Sequence, residues 1–178
     1  MIKKIKTVFV IDRDTHLATT EVYADWVLNS GGIATIKFDG TSCMVRDGQL
    51  FKRFDAKVGK TIPDGWEPCE EERDPVTRHW PGWVPVKIAD PASKWHAEAF
   101  DESLPNGTYE LVGPKIQGNR YNLDRHELWK HGSVEVEVKR TPEALLEWLT
   151  SNYQEGLVFH HPDGRMAKLR RKDFGLPW

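Results

Sequence analysis

Two pairs of short apolar runs constrain the fold of this 178-residue chain most strongly. The first pair covers Thr41 to Val45 and Leu50 to Phe54, with Asp47-Gly48 between the two runs. The second pair covers Glu155 to His160 and Arg165 to Leu169, again around an Asp-Gly dipeptide. Because aspartate and glycine tolerate the positive φ values of tight turns, both pairs predict antiparallel β-hairpins.

Other segments add strands and helices around these hairpins. Further strands are expected at Thr7 to Asp12, Gly107 to Gly113 and Ser133 to Lys139. The clearest helix begins after Thr141, which can cap it, with Pro142 in the first turn. A second helix is expected to cover Thr20 to Asn29. Hairpins with interspersed helices predict an α+β fold of antiparallel β-sheets with flanking helices.

Composition narrows the class of protein. With 39% hydrophobic and 29% charged residues, the chain is expected to be one soluble domain, and no run approaches the roughly 20 apolar residues of a membrane span. Cys43 and Cys69 fit neither a disulfide framework nor a metal spacing, which favours a reduced, cytoplasmic protein. Residues 61–91 are rich in tryptophan and proline and predict an ordered insertion.

Charge is segregated along the chain, although the net charge is only −2. Residues 165–178 carry five cations against one acid. A polyanion would therefore bind this basic end rather than the whole surface, while a solvated face is the alternative. No membrane or protein partner is predicted.

Lys37 closes an apolar run and is followed by Asp39 and Gly40. A lysine amine that loses its proton can attack phosphorus, and burial or neighbouring cations favour that neutral form. The glycine allows the backbone to turn tightly beside it. Since an exposed strand end is the alternative for this motif alone, the interpretation depends on partner residues.

Two acids and two cations are suitable partners for Lys37. Glu110 lies in an apolar predicted strand and Glu155 at the start of another. A carboxylate in an apolar strand is costly unless it is paired or binds a metal. Lys168 and Arg170 are two residues apart in a strand, so they point the same way and can grip one phosphate. Each alone could be a surface charge, but together they indicate a phosphate site.

These residues resemble an ordered set of motifs. Lys37-Phe38-Asp39-Gly40, Glu110, Glu155-Gly156-Leu157-Val158 and Lys168-Leu169-Arg170 are similar to motifs I, III, IV and V of the covalent nucleotidyltransferases, which include polynucleotide ligases and mRNA capping enzymes. More narrowly, the segments Pro81 to Val86, Leu111 to Gly113, Gln117 to Tyr121 and Lys168 to Trp178 resemble the small vertebrate-type ATP-dependent 5′-to-3′ RNA ligase family.

The resemblance implies roles for the matched positions. The implied catalytic residues are Lys37, which carries AMP, Glu155, which supports Mg²⁺ or Mn²⁺, and Lys168, which neutralises the α-phosphate. The implied ATP-binding residues are Asp39, Gly40, Arg53, Glu110, Lys168 and Arg170. Glu110 is also implied in holding a metal-bound water, and Tyr121 is a candidate to stack on the purine.

The resemblance therefore implies an ATP-dependent RNA ligase, acting for example in RNA repair. It joins 5′-phosphate and 3′-hydroxyl RNA ends through a lysyl-AMP intermediate and an adenylated RNA 5′ end. Residues 1–178 are expected to form a single minimal nucleotidyltransferase (ligase adenylation) domain without an OB domain. Arg171 and Lys172 are expected to contact the RNA. A GTP-dependent capping guanylyltransferase and a catalytically inactive RNA-binding module are the alternatives.

Overall fold

The computed structural model describes residues 4–178, which fold into β-strands joined by a few short helices. In chain order these are β1 Lys6–Thr7, β2 Phe9–Ile11, β3 Ala18–Val22, α1 Asp25–Leu28, β4 Ile33–Lys37, β5 Thr41–Arg46, β6 Gln49–Asp55, β7 Glu67–Pro68, β8 Pro81–Pro85, α2 Lys94–Ala99, β9 Gly107–Val112, β10 Glu127–Lys130, β11 Glu135–Val136, α3 Pro142–Ser151, β12 Gly156–His160 and β13 Met166–Arg170. Two 3-10 helices span Pro91–Ser93 and Arg171–Phe174. The predicted α+β class with antiparallel sheets is confirmed.

The chain divides into two compact units. We call them the Lys37 unit, with Ile5–Phe38 and Gly132–Trp178, and the Glu110 unit, with Lys4 and Asp39–His131. That residues 1–178 form a single nucleotidyltransferase domain without an OB domain stays a prediction. Among the described residues, no helix has the length and apolar character needed to cross a membrane.

A five-stranded sheet forms the centre of the Lys37 unit, in the order β1-β13-β12-β4-β11. Lys37 lies opposite Gly156, and Gly156 lies opposite Arg170 on the next strand. Two residues after Gly156 on the same strand, Val158 lies between Thr35 and Lys168. Because directly opposite residues project from the same face of a sheet, Lys37, Lys168 and Arg170 share one face.

The other face of this sheet builds the core of the unit. Leu157, Phe159 and Leu169 are buried there with Leu145 and Leu149 of α3. Each buried large side chain contributes on the order of 2 kcal/mol. This apolar face fixes the register, since a slip by one residue would turn the lysines into the core.

Helix α3 begins where the sequence predicts. The Thr141 hydroxyl accepts a hydrogen bond from the Ala144 amide at 3.2 Å, and Pro142 occupies the first helical position. The cap satisfies one of the amides that a helix start leaves without a partner. The helix therefore presents Leu145 and Leu149 to the sheet at helical spacing.

A six-stranded sheet forms the Glu110 unit, in the order β10-β9-β5-β6-β8-β7. Glu110 lies opposite Ser42 on one side and Trp129 on the other. Arg53 projects from the same face, since it follows Phe51 by two residues and Phe51 lies opposite Met44, two residues after Ser42. The opposite face is apolar and buries Cys43, Val45, Leu50, Tyr109 and Leu111.

Both predicted hairpins are confirmed, as β5–β6 and β12–β13. The helix expected to cover Thr20 to Asn29 is reduced to α1, because Thr20 and Val22 belong to β3, which pairs with β2. The strand expected at Ser133 to Lys139 is limited to β11. The predicted insertion at 61–91 is partly sheet, since it contains β7 and β8 and buries Trp83 completely.

Candidate functional site

Lys37 is the last residue of β4 and pairs with a carboxylate. Its Nζ lies 2.6 Å from Oε2 of Glu155, and their side chains are 23% and 12% exposed. Glu155 stands directly before β12, whose first residue, Gly156, faces Lys37 across the strand pair. A Cβ at Gly156 would lie 1.9 Å from the Leu169 carbonyl oxygen, so only glycine permits this close strand approach.

Lys168 lies on the same face, two residue pairs further along the sheet. Within residues 4–178, no carboxylate lies within ion-pair distance of its ammonium group. Burial is the main cause that lowers the pKa of Lys168 to about 8, and the positive charges of Arg170 and Lys37 contribute to the same shift. A half-buried cation without a counter-ion is a favourable place for an anion.

Arg170 is held by a residue that the sequence interpretation did not single out. Its Nε and Nη2 donate to the two carboxylate oxygens of Asp173 at 3.0 and 2.6 Å. The Arg170 amide donates to the same carboxylate at 3.1 Å. Asp173 is only 3% exposed, so this two-pronged ion pair is shielded from water and fixes the guanidinium.

Three cations and two acids therefore meet on one face of the five-stranded sheet: Lys37, Lys168, Arg170, Glu155 and Asp173. One positive charge remains in excess. The arrangement offers an amine, a carboxylate that can take the amine proton, and cations that can stabilise negative charge as it develops.

Glu110 of the other unit is also paired. It is 8% exposed, and its Oε2 lies 2.7 Å from Nε2 of His131. The other ring nitrogen of His131 lies 3.0 Å from the Thr108 hydroxyl. Sequence reasoning missed His131, although its position just after the strand opposite β9 was the available signal. The imidazole fixes the orientation of a carboxylate that is costly to bury alone.

Arg53 is anchored by two neighbours on its own sheet. Its Nη1 donates to the Cys69 sulfur at 3.2 Å, and its guanidinium lies 5.0 Å from the Trp83 ring centre. Burial raises the pKa of the Cys69 thiol. Cys43 and Cys69 are both free and buried. Arg53 and Glu110 thus lie on one face of the six-stranded sheet.

The turn after Lys37 is held by side chains from a distant loop. The Asp39 amide donates to the Tyr121 hydroxyl at 2.7 Å. The Gln117 side chain donates to the Gly40 carbonyl at 3.4 Å. A Cβ at Gly40 would lie 2.2 Å from the Leu111 carbonyl oxygen, which explains the glycine at this position.

Arg171, which was expected to contact the RNA, is buried rather than exposed. It is 5% exposed, and its Nε donates to the Pro177 carbonyl at 2.7 Å. Its Nη1 donates to the carbonyls of Leu149 and Asn152. The 3-10 helix after β13 turns this side chain inward, whereas Lys172 beside it is exposed.

The Glu155 carboxylate is the candidate metal ligand in this group of side chains. Within the part of the chain that the structure describes, no three His, Cys, Asp or Glu side chains converge as metal ligands. A single carboxylate such as that of Glu155 fits Mg²⁺, which commonly uses one or two carboxylates together with substrate phosphates and water.

Comparisons with known proteins point to one family. Residues 101–178 match the family model described as RNA ligase 1. RNA ligase 1 of Mus musculus is 27% identical over 89% of this chain and 72% of its own length. The Rattus norvegicus protein is 27% identical over 89% of this chain and 73% of its own length. The Pongo abelii protein is 29% identical over 67% of this chain and 50% of its own length.

Proposed function

We propose that this chain is a member of the RNA ligase family of these relatives and joins RNA ends, with consumption of ATP, through an AMP adduct on Lys37. The RNA ends are a 5′-phosphate and a 3′-hydroxyl. The observation that carries the proposal is the group of Lys37, Glu155, Lys168 and Arg170 on one face of the five-stranded sheet.

Physical chemistry favours a phosphate ligand for this group. Among the three cations, Lys37 and Arg170 have carboxylate partners, whereas burial and like charges disfavour the cationic form of Lys168. A phosphate beside Lys168 would remove that cost. Strongly shifted pKa values of this kind cluster at functional sites.

In the first step, Nζ of Lys37 attacks the α-phosphorus of ATP. The N–P bond forms, the bond to the β-phosphate oxygen breaks, and pyrophosphate leaves with that electron pair. The proton released from Nζ has Oε2 of Glu155 at 2.6 Å as an acceptor. Lys168 and Arg170 stabilise the negative charge that builds on the phosphate oxygens.

In the second step, an oxygen of the RNA 5′-phosphate attacks the phosphorus of the lysyl-AMP adduct. The N–P bond breaks, and Nζ of Lys37 leaves with the electron pair and takes up a proton. The product is an RNA with AMP joined to its 5′-phosphate. In the third step, the 3′-hydroxyl oxygen of a second RNA end attacks the phosphorus of that 5′-phosphate and forms a phosphodiester. The P–O bond to AMP breaks, AMP leaves with the electron pair, and the hydroxyl proton passes to water. Atoms and charge balance without an oxidant or reductant.

The family resemblance also implies roles for residues of the Glu110 unit. Asp39, Gly40 and Glu110 hold the ribose, with Glu110 oriented by His131. Arg53 contacts sugar or substrate phosphate from a position fixed by Cys69 and Trp83. Mg²⁺ or Mn²⁺ held by Glu155 would supply positive charge at the reacting phosphates. Holding a metal-bound water is the alternative role proposed for Glu110.

Lys172 is the remaining proposed RNA contact. It is exposed and follows the buried Arg171 in the 3-10 helix after β13. A single exposed lysine contributes about one phosphate contact and makes the affinity depend on salt concentration.

Labelling with radioactive nucleotide tests the proposal. The protein is incubated with Mg²⁺ and α-labelled ATP or GTP. One portion is run on a denaturing gel to detect covalent label, and a second portion is given RNA with 5′-phosphate and 3′-hydroxyl ends. Wild type is expected to take label from ATP and to seal RNA, Lys37→Ala to do neither, and Lys57→Ala, at an exposed lysine, to match wild type. Label from GTP alone would identify a capping enzyme, and no label would identify a binding module.

A further inference from the structure

The loop between β9 and β10, residues 113–126, is tightly closed at its base. Gly113 has φ +142°, and a Cβ there would lie 2.7 Å from the Cα of His126. The two ends of the loop therefore touch, and a larger residue at position 113 would force them apart. We refer to this segment as the β9–β10 loop.

His126 fixes the loop from its C-terminal end. Its ring is 2% exposed and stacks on Trp95 with a centroid distance of 4.5 Å. Nε2 accepts from the Lys115 amide at 3.2 Å, so Nδ1 carries the proton shared with Glu98 at 2.7 Å. Hydrogen bonds from the side chain and the backbone amide of His126 lower the pKa of the Glu98 carboxyl, consistent with a charged acceptor.

The middle of the loop is held by its own side chains. Asn119 has φ +53°, a conformation that asparagine tolerates better than most residues. The side-chain Nδ2 of Asn119 donates to the Leu123 carbonyl at 3.0 Å, and its Oδ1 accepts from the Leu123 backbone amide at 2.9 Å. The ring of Tyr121, between these two residues, lies 4.7 Å from that of Trp129. The loop thus presents Tyr121 in one defined position.

Two side chains of the β9–β10 loop form hydrogen bonds with the backbone of the turn at Asp39 and Gly40. The Tyr121 hydroxyl accepts from the Asp39 amide, and Gln117 donates to the Gly40 carbonyl. We propose that Tyr121 is a positioning residue that orients Asp39 through its hydroxyl group. The inference rests on the proposed function, since it is there that the Asp39 carboxylate holds the ribose. An aromatic platform for the purine would use the Tyr121 ring and would not need the hydroxyl.

Tyr121→Phe separates these two roles because it removes the hydroxyl and keeps the ring. The matched control is Tyr109→Phe, which removes the hydrogen bond from Tyr109 to the Pro105 carbonyl, 2.6 Å long, in the same unit. The rate of Lys37 adenylation is measured with saturating ATP and the unfolding temperature is measured beside it. We expect Tyr121→Phe to slow adenylation about three- to tenfold, the usual effect of one lost hydrogen bond, and Tyr109→Phe to leave the rate unchanged.

A double-mutant cycle with Asp39→Ala distinguishes positioning from general destabilisation. If the hydroxyl acts through the Asp39 carboxylate, Tyr121→Phe has no further effect once that carboxylate is gone. The inference is overturned by an adenylation rate in Tyr121→Phe equal to wild type, or by an equal fractional loss in both backgrounds. If wild type itself forms no adduct, the proposed function fails instead, so the two failures are distinguishable.

Discussion

Lys168→Met is expected to stabilise the folded protein at pH 7 while it abolishes Lys37 adenylation. Methionine keeps the length of the side chain but removes the charge. In the wild type, burial and the charges of Arg170 and Lys37 lower the pKa of Lys168 from 10.5 to about 8. At 1.36 kcal/mol for each pH unit, this displacement corresponds to at most about 3 kcal/mol of stability.

The sign of the effect depends on pH. Below pH 8, Lys168 is charged in both the folded and the unfolded chain, and the folded state carries the full cost of the buried cation. Between pH 8 and 10.5 the folded state releases its proton first, so wild-type stability rises toward that of the variant. The gain from Lys168→Met should therefore be largest at pH 7 and fade near pH 10.

Denaturant unfolding at pH 7 and pH 10 measures this gain, and adenylation is measured at pH 7. Lys172→Met, at an exposed lysine, is the matched control and should change neither stability nor adenylation. A Lys168→Met variant that is less stable than wild type, or whose gain is the same at both pH values, refutes the electrostatic argument. A variant that is stabilised and still adenylated refutes the assignment of Lys168 to the reaction.

Substitutions at four further positions probe other parts of the site. Glu155→Gln should lower the adenylation rate by on the order of 10²-fold with little change in unfolding temperature, and a folded, fully active variant would exclude the carboxylate from the reaction. Arg171→Met should lower the free energy of unfolding by about 2 to 5 kcal/mol in a denaturant titration, because three backbone carbonyls lose their donor. Lys172→Ala should keep both stability and adenylation but reduce the salt dependence of RNA binding by about one charge. His131→Gln, which can still donate to Glu110, should retain more kcat/KM for ATP than His131→Asn, and the reverse order would count against a positioning role.

Local sequence signals were sufficient for the parts of the fold that form locally. The hairpins β5–β6 and β12–β13 have turn residues that require no distant contact, and α3 has its own cap in Thr141. In contrast, α1 is short because the segment before it pairs with β2, which no local pattern reveals. Tertiary pairing overrides local preference in such segments.

The candidate site was predictable only as a set of residue types. Alternation in β13 correctly places Lys168 and Arg170 on one face, and strand ends indicate Lys37 and Glu155. The partners of these residues are distant or depend on a local turn. The 3-10 helix after β13 brings Asp173 to Arg170. The same turn buries Arg171, a burial that strand alternation alone does not predict. His131 and the Tyr121 hydroxyl were missed because their contacts cross strands and loops.

Mapping the AMP adduct tests the central claim most directly. The protein is incubated with Mg²⁺ and ATP, digested, and the modified peptide is identified by mass spectrometry. The account predicts one AMP on Lys37, none in Lys37→Ala, and release of the adduct when RNA with a 5′-phosphate is added. An adduct on Lys168 or another residue, or a wild-type protein that is never modified, would contradict it.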